Sequence, residues 1–160
     1  MRQLLLYLSL SFCCICFAQK VQGSFTVTCI QPYCGGARPS PEMEAEAQKP
    51  KPYANQTIAL VSDKGKKLYL KTNADGVVKC SLKPGRYMLY EKWRFKKTGP
   101  NGKALNQFDA DCLKAEWKKD FAVLVVNEKD FIYNESSGIH MPCYFAIPCL
   151  LERYRPNIPE

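Results

Sequence analysis

Polar and apolar residues alternate along much of this chain with a period of two, the repeat of a strand with one face buried. Phe25, Val27 and Cys29 fall on one side of the first such run, residues 24–30, with Ser24, Thr26 and Thr28 on the other. Residues 57–61 and 67–72 read as two further strands joined by the tight connection Asp63-Lys64-Gly65-Lys66. Asn73-Ala74-Asp75-Gly76 is the next turn, after which Val78, Cys80 and Leu82 share a face. Lys83-Pro84-Gly85-Arg86 fits a type II turn, with Pro84 presetting one central residue and Gly85 supplying the positive φ of the other. The alternation then runs from residue 87 to residue 97 and predicts one long strand. Trp93 and Phe95 would face the core of that strand, and Lys92, Arg94 and Lys96 would form a basic ladder outside.

The period changes over 105–117. Leu105, Phe108, Cys112, Leu113, Glu116 and Trp117 recur at helical spacing and predict a short amphipathic helix around 107–119. Residues 121–126 are apolar on both faces and predict a central strand covered on each side. Residues 131–133 and 143–147 are the last expected strands. Between the first and second strands, 31–54 is a long turn-rich loop tied down by Cys34. Within it, Ser40 before Pro41 predicts a capped helix through Glu44-Ala45-Glu46-Ala47, ended by Pro50 and Pro52. Many short strands with turn signals between them predict a mainly β protein, an antiparallel β-sandwich. It is expected as one domain over 19–153, followed by a loose tail at 154–160.

The N-terminus changes the picture of where the chain works. Arg2 precedes an apolar stretch ending in Cys16-Phe17-Ala18, which has the pattern of a secretory signal peptide cleaved after Ala18. The apolar run is short for a membrane span and no later segment is apolar enough for one, so an integral membrane protein is not expected after cleavage. Of the nine cysteines, six lie beyond the cut: Cys29, Cys34, Cys80, Cys112, Cys143 and Cys149. An even set in an exported chain reads as structural disulfides, and their spacing does not fix the connectivity. Cys29 and Cys80 lie on apolar faces and are expected to point inward, with pairing to each other one option. Cys143 and Cys149 are placed to reach Cys34 and Cys112. No Cys-x-x-Cys occurs beyond the leader, which argues against a thioredoxin-type pair or a zinc site.

The run Thr72-Asn73-Ala74-Asp75-Gly76-Val77-Val78-Lys79-Cys80-Ser81-Leu82-Lys83-Pro84-Gly85-Arg86-Tyr87 resembles the carboxypeptidase regulatory-like domain, a transthyretin-like β-sandwich. Gly23-Ser24-Phe25-Thr26-Val27 looks like that family's first strand and Thr57-Ile58-Ala59-Leu60 like its second. Tyr33-Cys34-Gly35-Gly36-Ala37-Arg38-Pro39-Ser40-Pro41-Glu42 also looks like small exported bacterial proteins that join this sandwich to extra cysteines. The resemblance covers residues 23–29 and 55–95. It implies a non-catalytic accessory or surface-binding module and brings no catalytic residues. The 31–54 loop, the helix near 107–119 and the six cysteines depart from the family pattern.

The remaining residues carry no site of their own in the sequence. The single His140 lies in a loop without neighbouring ligands and reads as a surface group. Asp109, Asp111 and Asp120 read as capping or solvated carboxylates rather than a calcium site. Ser136 and Ser137 lack a nucleophile-elbow context. Trp93 and Trp117 lie on apolar faces and read as core. No metal and no cofactor is expected. The chain is basic, with a formal net charge of +8, and Lys92, Arg94 and Lys96 are the candidate anion-binding residues. The expected function is a non-enzymatic binding or structural module, periplasmic or extracellular. Its partner would be an anionic surface or another exported protein, and not nucleic acid. An inhibitor that inserts its 31–54 loop into a partner is the second reading, and a thiol oxidoreductase the third.

Overall fold

The computed structural model describes residues 19–35, 38–95, 99–143 and 145–156. The expected leader, Lys96 and residues 157–160 of the tail lie outside the described residues. The chain is mainly β. Strand β1 (Val21–Thr26) pairs with β6 (Val77–Leu82), and the short β2 (Thr28–Cys29) with β3 (Lys51–Pro52). Five strands build the main sheet: β4 (Thr57–Ser62), β5 (Lys67–Lys71), β7 (Gly85–Glu91), β8 (Ala122–Val126) and β9 (Phe131–Glu135). Their order is β5-β4-β7-β8-β9, and every pair is antiparallel.

The register Leu60↔Leu89↔Ala122 and Tyr87↔Leu124 places Leu60, Leu89, Ala122, Leu124 and Tyr87 on one face of the sheet. The β1–β6 ribbon lies across that face. Phe25, Val27, Val78 and Leu82 from the ribbon join Ile58, Leu60, Leu89, Leu124 and Val126 in the main core. Phe25 stacks on Tyr133 of β9 at 5.5 Å. Contact between the two layers is close: a Cβ on Gly23 would sit 2.8 Å from the Phe131 ring. At the tight turn after β5, Gly76 has φ +74°, and a Cβ there would lie 2.4 Å from the Val27 carbonyl oxygen. Only glycine meets both demands.

A second, smaller core of Phe108, Leu113, Ile147 and Leu150 lies beyond the sheet, with Trp93, Leu105, Trp117 and Cys149 packed against it. Two short helices form where capping signals place them. Helix α1 (Pro41–Ala47) starts at Ser40, whose Oγ accepts from the Met43 amide at 3.3 Å. Helix α2 (Ala110–Trp117) starts at Asp109, whose carboxylate accepts from the Cys112 amide at 2.7 Å. Tyr87 steadies the β6–β7 turn by donating to the Lys83 carbonyl at 2.9 Å.

Four expectations need correction. The alternation expected to form a strand through residue 97 stops at Glu91, and Lys92–Phe95 is a 3-10 turn. A strand requires neighbours: β8 begins at Ala122, opposite Leu89, and β4 begins at Thr57, one residue before the Ile58–Glu91 pair. No exterior ladder of Lys92 and Arg94 therefore forms. The described residues of the expected strand at 143–147, Cys143 and 145–147, are not in a strand. Pro142 and Pro148 withhold ladder donors, and Cys143 and Cys149 are tethered to different segments. Strand β8 is covered on one face, where Ala122, Leu124 and Val126 are buried, while Val123 and Val125 stay half-buried on the other. Gly85 has φ +150° rather than the roughly +80° of a type II turn, though this too is glycine territory.

The cysteines resolve into two bridges and two thiols. Cys34 bonds to Cys143 and Cys112 to Cys149, with Cα separations of 5.4 and 5.5 Å. Cys29 and Cys80 are free, so the Cys29–Cys80 option is overturned. Their faces are both apolar, but the register sets Cys80 opposite Gly23. Cys29 lies six residues further along, about 20 Å of extended chain. That far exceeds the reach of a disulfide.

A cleft at the end of the sheet

At the end of the sheet where β4 begins and β7 ends, the main core and the smaller one leave a cleft of about 540 Å³. Its floor includes Glu91, the last residue of β7, and Arg94 from the 3-10 turn that follows. Thr57 and the segment from Tyr53 to Gln56 form one wall, Leu113, Glu116 and Lys119 another. The loop Ser137–Pro142, with His140, closes a third side. Thr72 sets the first wall. It is 2 % exposed, and its hydroxyl donates to the Tyr53 carbonyl at 2.5 Å and accepts from the Gln56 amide at 2.9 Å. The loop side is anchored by Ile30, which bonds Ile139 and Met141 through its backbone at 2.9 and 2.8 Å.

Arg94 is the unusual group here. Its side chain is only 8 % exposed. Its Nη2 lies 3.6 Å from Glu91 Oε2, an ion pair too long for a good hydrogen bond. Its Nε and Nη1 are buried and have no hydrogen-bond partner among the described residues. The guanidinium also lies over Trp93, 5.0 Å from the ring centre. A guanidinium carries five donors in a fixed fork, and leaving them unmet away from water is costly. Glu91 is strained in the complementary sense. Burial pushes its carboxyl above the usual carboxylate range, opposed by the Trp93 indole and the Arg94 guanidinium. Glu116 on α2 pushes in the same direction as burial, while making its own ion pair with Lys119.

The other expected site residues fall elsewhere. Asp109 caps α2, Asp111 pairs with Lys114 at 3.0 Å, and Asp120 accepts from Ser136 at 2.8 Å. Among the described residues no three His, Cys, Asp or Glu side chains are grouped to hold a metal ion. Trp93 and Trp117 pack against the smaller core, and Trp93 also faces the cleft. Burial pushes both free thiols, Cys29 and Cys80, above the ordinary thiol range. Of the expected basic triad, Lys92 and Arg94 do line the cleft, Arg94 from inside the protein rather than from an outer face. Glu91 and Tyr53 were not singled out by sequence. The signal for Glu91 was present, since it occupies an inward position in the series Tyr87, Leu89, Glu91, where a carboxylate needs a partner.

Among the described residues, no helix is long and apolar enough to cross a membrane. Comparison with protein-family models, with curated proteins and with solved structures finds no match to this chain.

Proposed function

We propose that this chain is an exported, non-enzymatic binding module of transthyretin-like sandwich type, and that it takes an anionic ligand in the cleft at the end of the sheet. The observation that carries the reading is Arg94, a buried guanidinium with unpartnered Nε and Nη1 on the cleft floor. Binding sites are concave and hold a few placed polar groups among apolar walls, and buried arginine suits two-oxygen anions. Two disulfides fit an oxidising compartment, and the leader pattern at 1–18 fits export to the periplasm or exterior. The ribbon over a five-stranded sheet, the Asp75-Gly76 turn and the Tyr87 hydrogen bond fit the sandwich type.

The test is thermal unfolding of the secreted protein and of Arg94→Gln with glucuronate, sulfate or phosphate at matched ionic strength. At least one anion should raise the midpoint of wild type and not that of Arg94→Gln. Equal responses of the two proteins would mean that the anions act by general screening, and no response at all would also end the reading. Should Arg94→Gln not fold, the same titrations of wild type by NMR must move resonances of Trp93, Thr57 and Ser137 selectively.

A second reading has its own observation. Helix α1 buries none of its residues, and Met43 on it is 44 % exposed, on a loop pinned by the Cys34–Cys143 bridge. A protruding, tethered helix suits insertion into another exported protein. Limited proteolysis in the presence of the exported fraction should then protect residues 38–50.

A further inference from the structure

We infer that the ligand of the cleft is a monovalent carboxylate, which takes the place of the Glu91 carboxylate against Arg94, Glu91 accepting a proton from solvent as it is displaced. The inference rests on the reading of the cleft as an anion site and names what occupies it.

Three features of the cleft support this ligand. First, Arg94 is already addressed by a carboxylate, that of Glu91, but poorly: the contact is 3.6 Å and leaves Nε and Nη1 empty. Nε and Nη1 are themselves buried, so they become available to a ligand only as Glu91 is displaced; a free carboxylate in its place can then orient to accept two short bonds from the fork, as the tethered one does not. Second, the charges available suit one negative unit. Lys119 is paired with Glu116, and Glu116 still lines the cleft after Glu91 has taken up its proton, so a second negative charge on the ligand is set against the Glu116 carboxylate. Lys92 at the side of the cleft supplies the remaining positive charge. Third, Glu91 has nowhere favourable to put its charge once it leaves Arg94. It is 18 % exposed at its side chain. Facing it are Arg94 and Trp93 from the 3-10 turn, Glu116 from α2, Tyr53 from the segment before β4 and Cys29 from β2. Tyr53 and Cys29 are both held neutral by burial, so neither offers a counter-charge. Like charges confined together resolve by binding a proton, and here the proton goes to the more buried, tethered carboxylate.

Linkage then sets the sign. Binding that takes up one proton tightens as pH falls, by at most about tenfold per pH unit. The probe is glucuronate, a carboxylate that stays ionised through the range, with sulfate as a dianion of constant charge. Isothermal titration calorimetry of the secreted protein between about pH 7 and pH 5.5, in two buffers of different ionisation enthalpy, measures proton uptake directly. The expected results are tighter glucuronate than sulfate binding, net proton uptake on glucuronate binding, and tightening on acidification. The isosteric Glu91→Gln should bind glucuronate without uptake and with little pH dependence. His140 also lines the cleft, so the uptake and the pH dependence must both persist in His140→Asn. Glucuronate binding to wild type without proton uptake, uptake that persists in Glu91→Gln or disappears in His140→Asn, or sulfate binding more tightly would each overturn the inference while leaving an anion site standing. Failure of every anion to bind would remove the site itself. If Glu91→Gln does not fold, wild-type uptake that persists in His140→Asn decides the matter.

Discussion

The two cores of this protein are held by different means. In the main one, thirteen buried residues lie between the β1–β6 ribbon and the five-stranded sheet, locked by continuous antiparallel ladders. The smaller one has four buried residues, among 3-10 turns, one two-turn helix and proline-broken chain. Burial on that scale does not order so much irregular backbone against its conformational entropy. The cross-links are found there: Cys112–Cys149 spans the smaller core, and Cys34–Cys143 ties the 31–54 loop to its C-terminal turns. The cleft lies at the junction, with Glu91 supplied by the rigid sheet and Leu113 and Glu116 by the braced lobe.

Each core can be weakened by its own means. Leu124→Ala removes a fully buried side chain from the middle of the sheet. It should cost about 2–5 kcal/mol in chemical denaturation and lower protection of the whole sheet. A loss below 1 kcal/mol would show that the sheet does not dominate stability.

The double substitution Cys112→Ser/Cys149→Ser opens a bridge of sequence separation 37. The expected loss is about 2–4 kcal/mol, and it should be local. Hydrogen exchange should rise over 105–119 and 145–155 while β4, β7 and β8 keep their protection. Uniform loss across both regions would mean that the two cores are one cooperative unit.

Asp109→Ala removes the cap of α2. A loss of about 1 kcal/mol is expected, together with faster proteolysis within 105–119. An unchanged protein would show that the bridge alone holds the helix in place.

The smallest effect distinguishes a hydroxyl in the main core. Burial pushes Tyr133 up to about 12, and its hydroxyl has no partner among the described residues. Tyr133→Phe keeps the stacking on Phe25 and removes the unmet group. Stability should be unchanged or raised by up to about 1 kcal/mol, and a clear loss would reveal a bonded hydroxyl.

The local features of this fold were legible in residue order. Phe25 and Val27 alternate with Ser24 and Thr26 because a strand turns its side chains to opposite faces, and the buried set follows. Ser40 and Asp109 cap helices because their short side chains reach amides three residues on, a contact that needs no distant partner. The two observed bridges were within the expected reach of Cys143 and Cys149. What the order of residues alone could not decide depends on neighbours from elsewhere in the chain. The alternation from residue 87 to residue 97 is intact in the sequence, yet the strand ends at Glu91 because β4 and β8 supply no ladder beyond it. That ending turns Arg94 from an exposed rung into a buried guanidinium beside Glu91, and it creates the floor of the cleft. Cys29 and Cys80 likewise share an apolar environment that periodicity reveals, while the register that keeps them apart exists only once β1 and β6 have paired. Periodicity is a property of adjacent residues and survives in any context, whereas pairing, termination and burial are set by which surfaces the folded chain brings together.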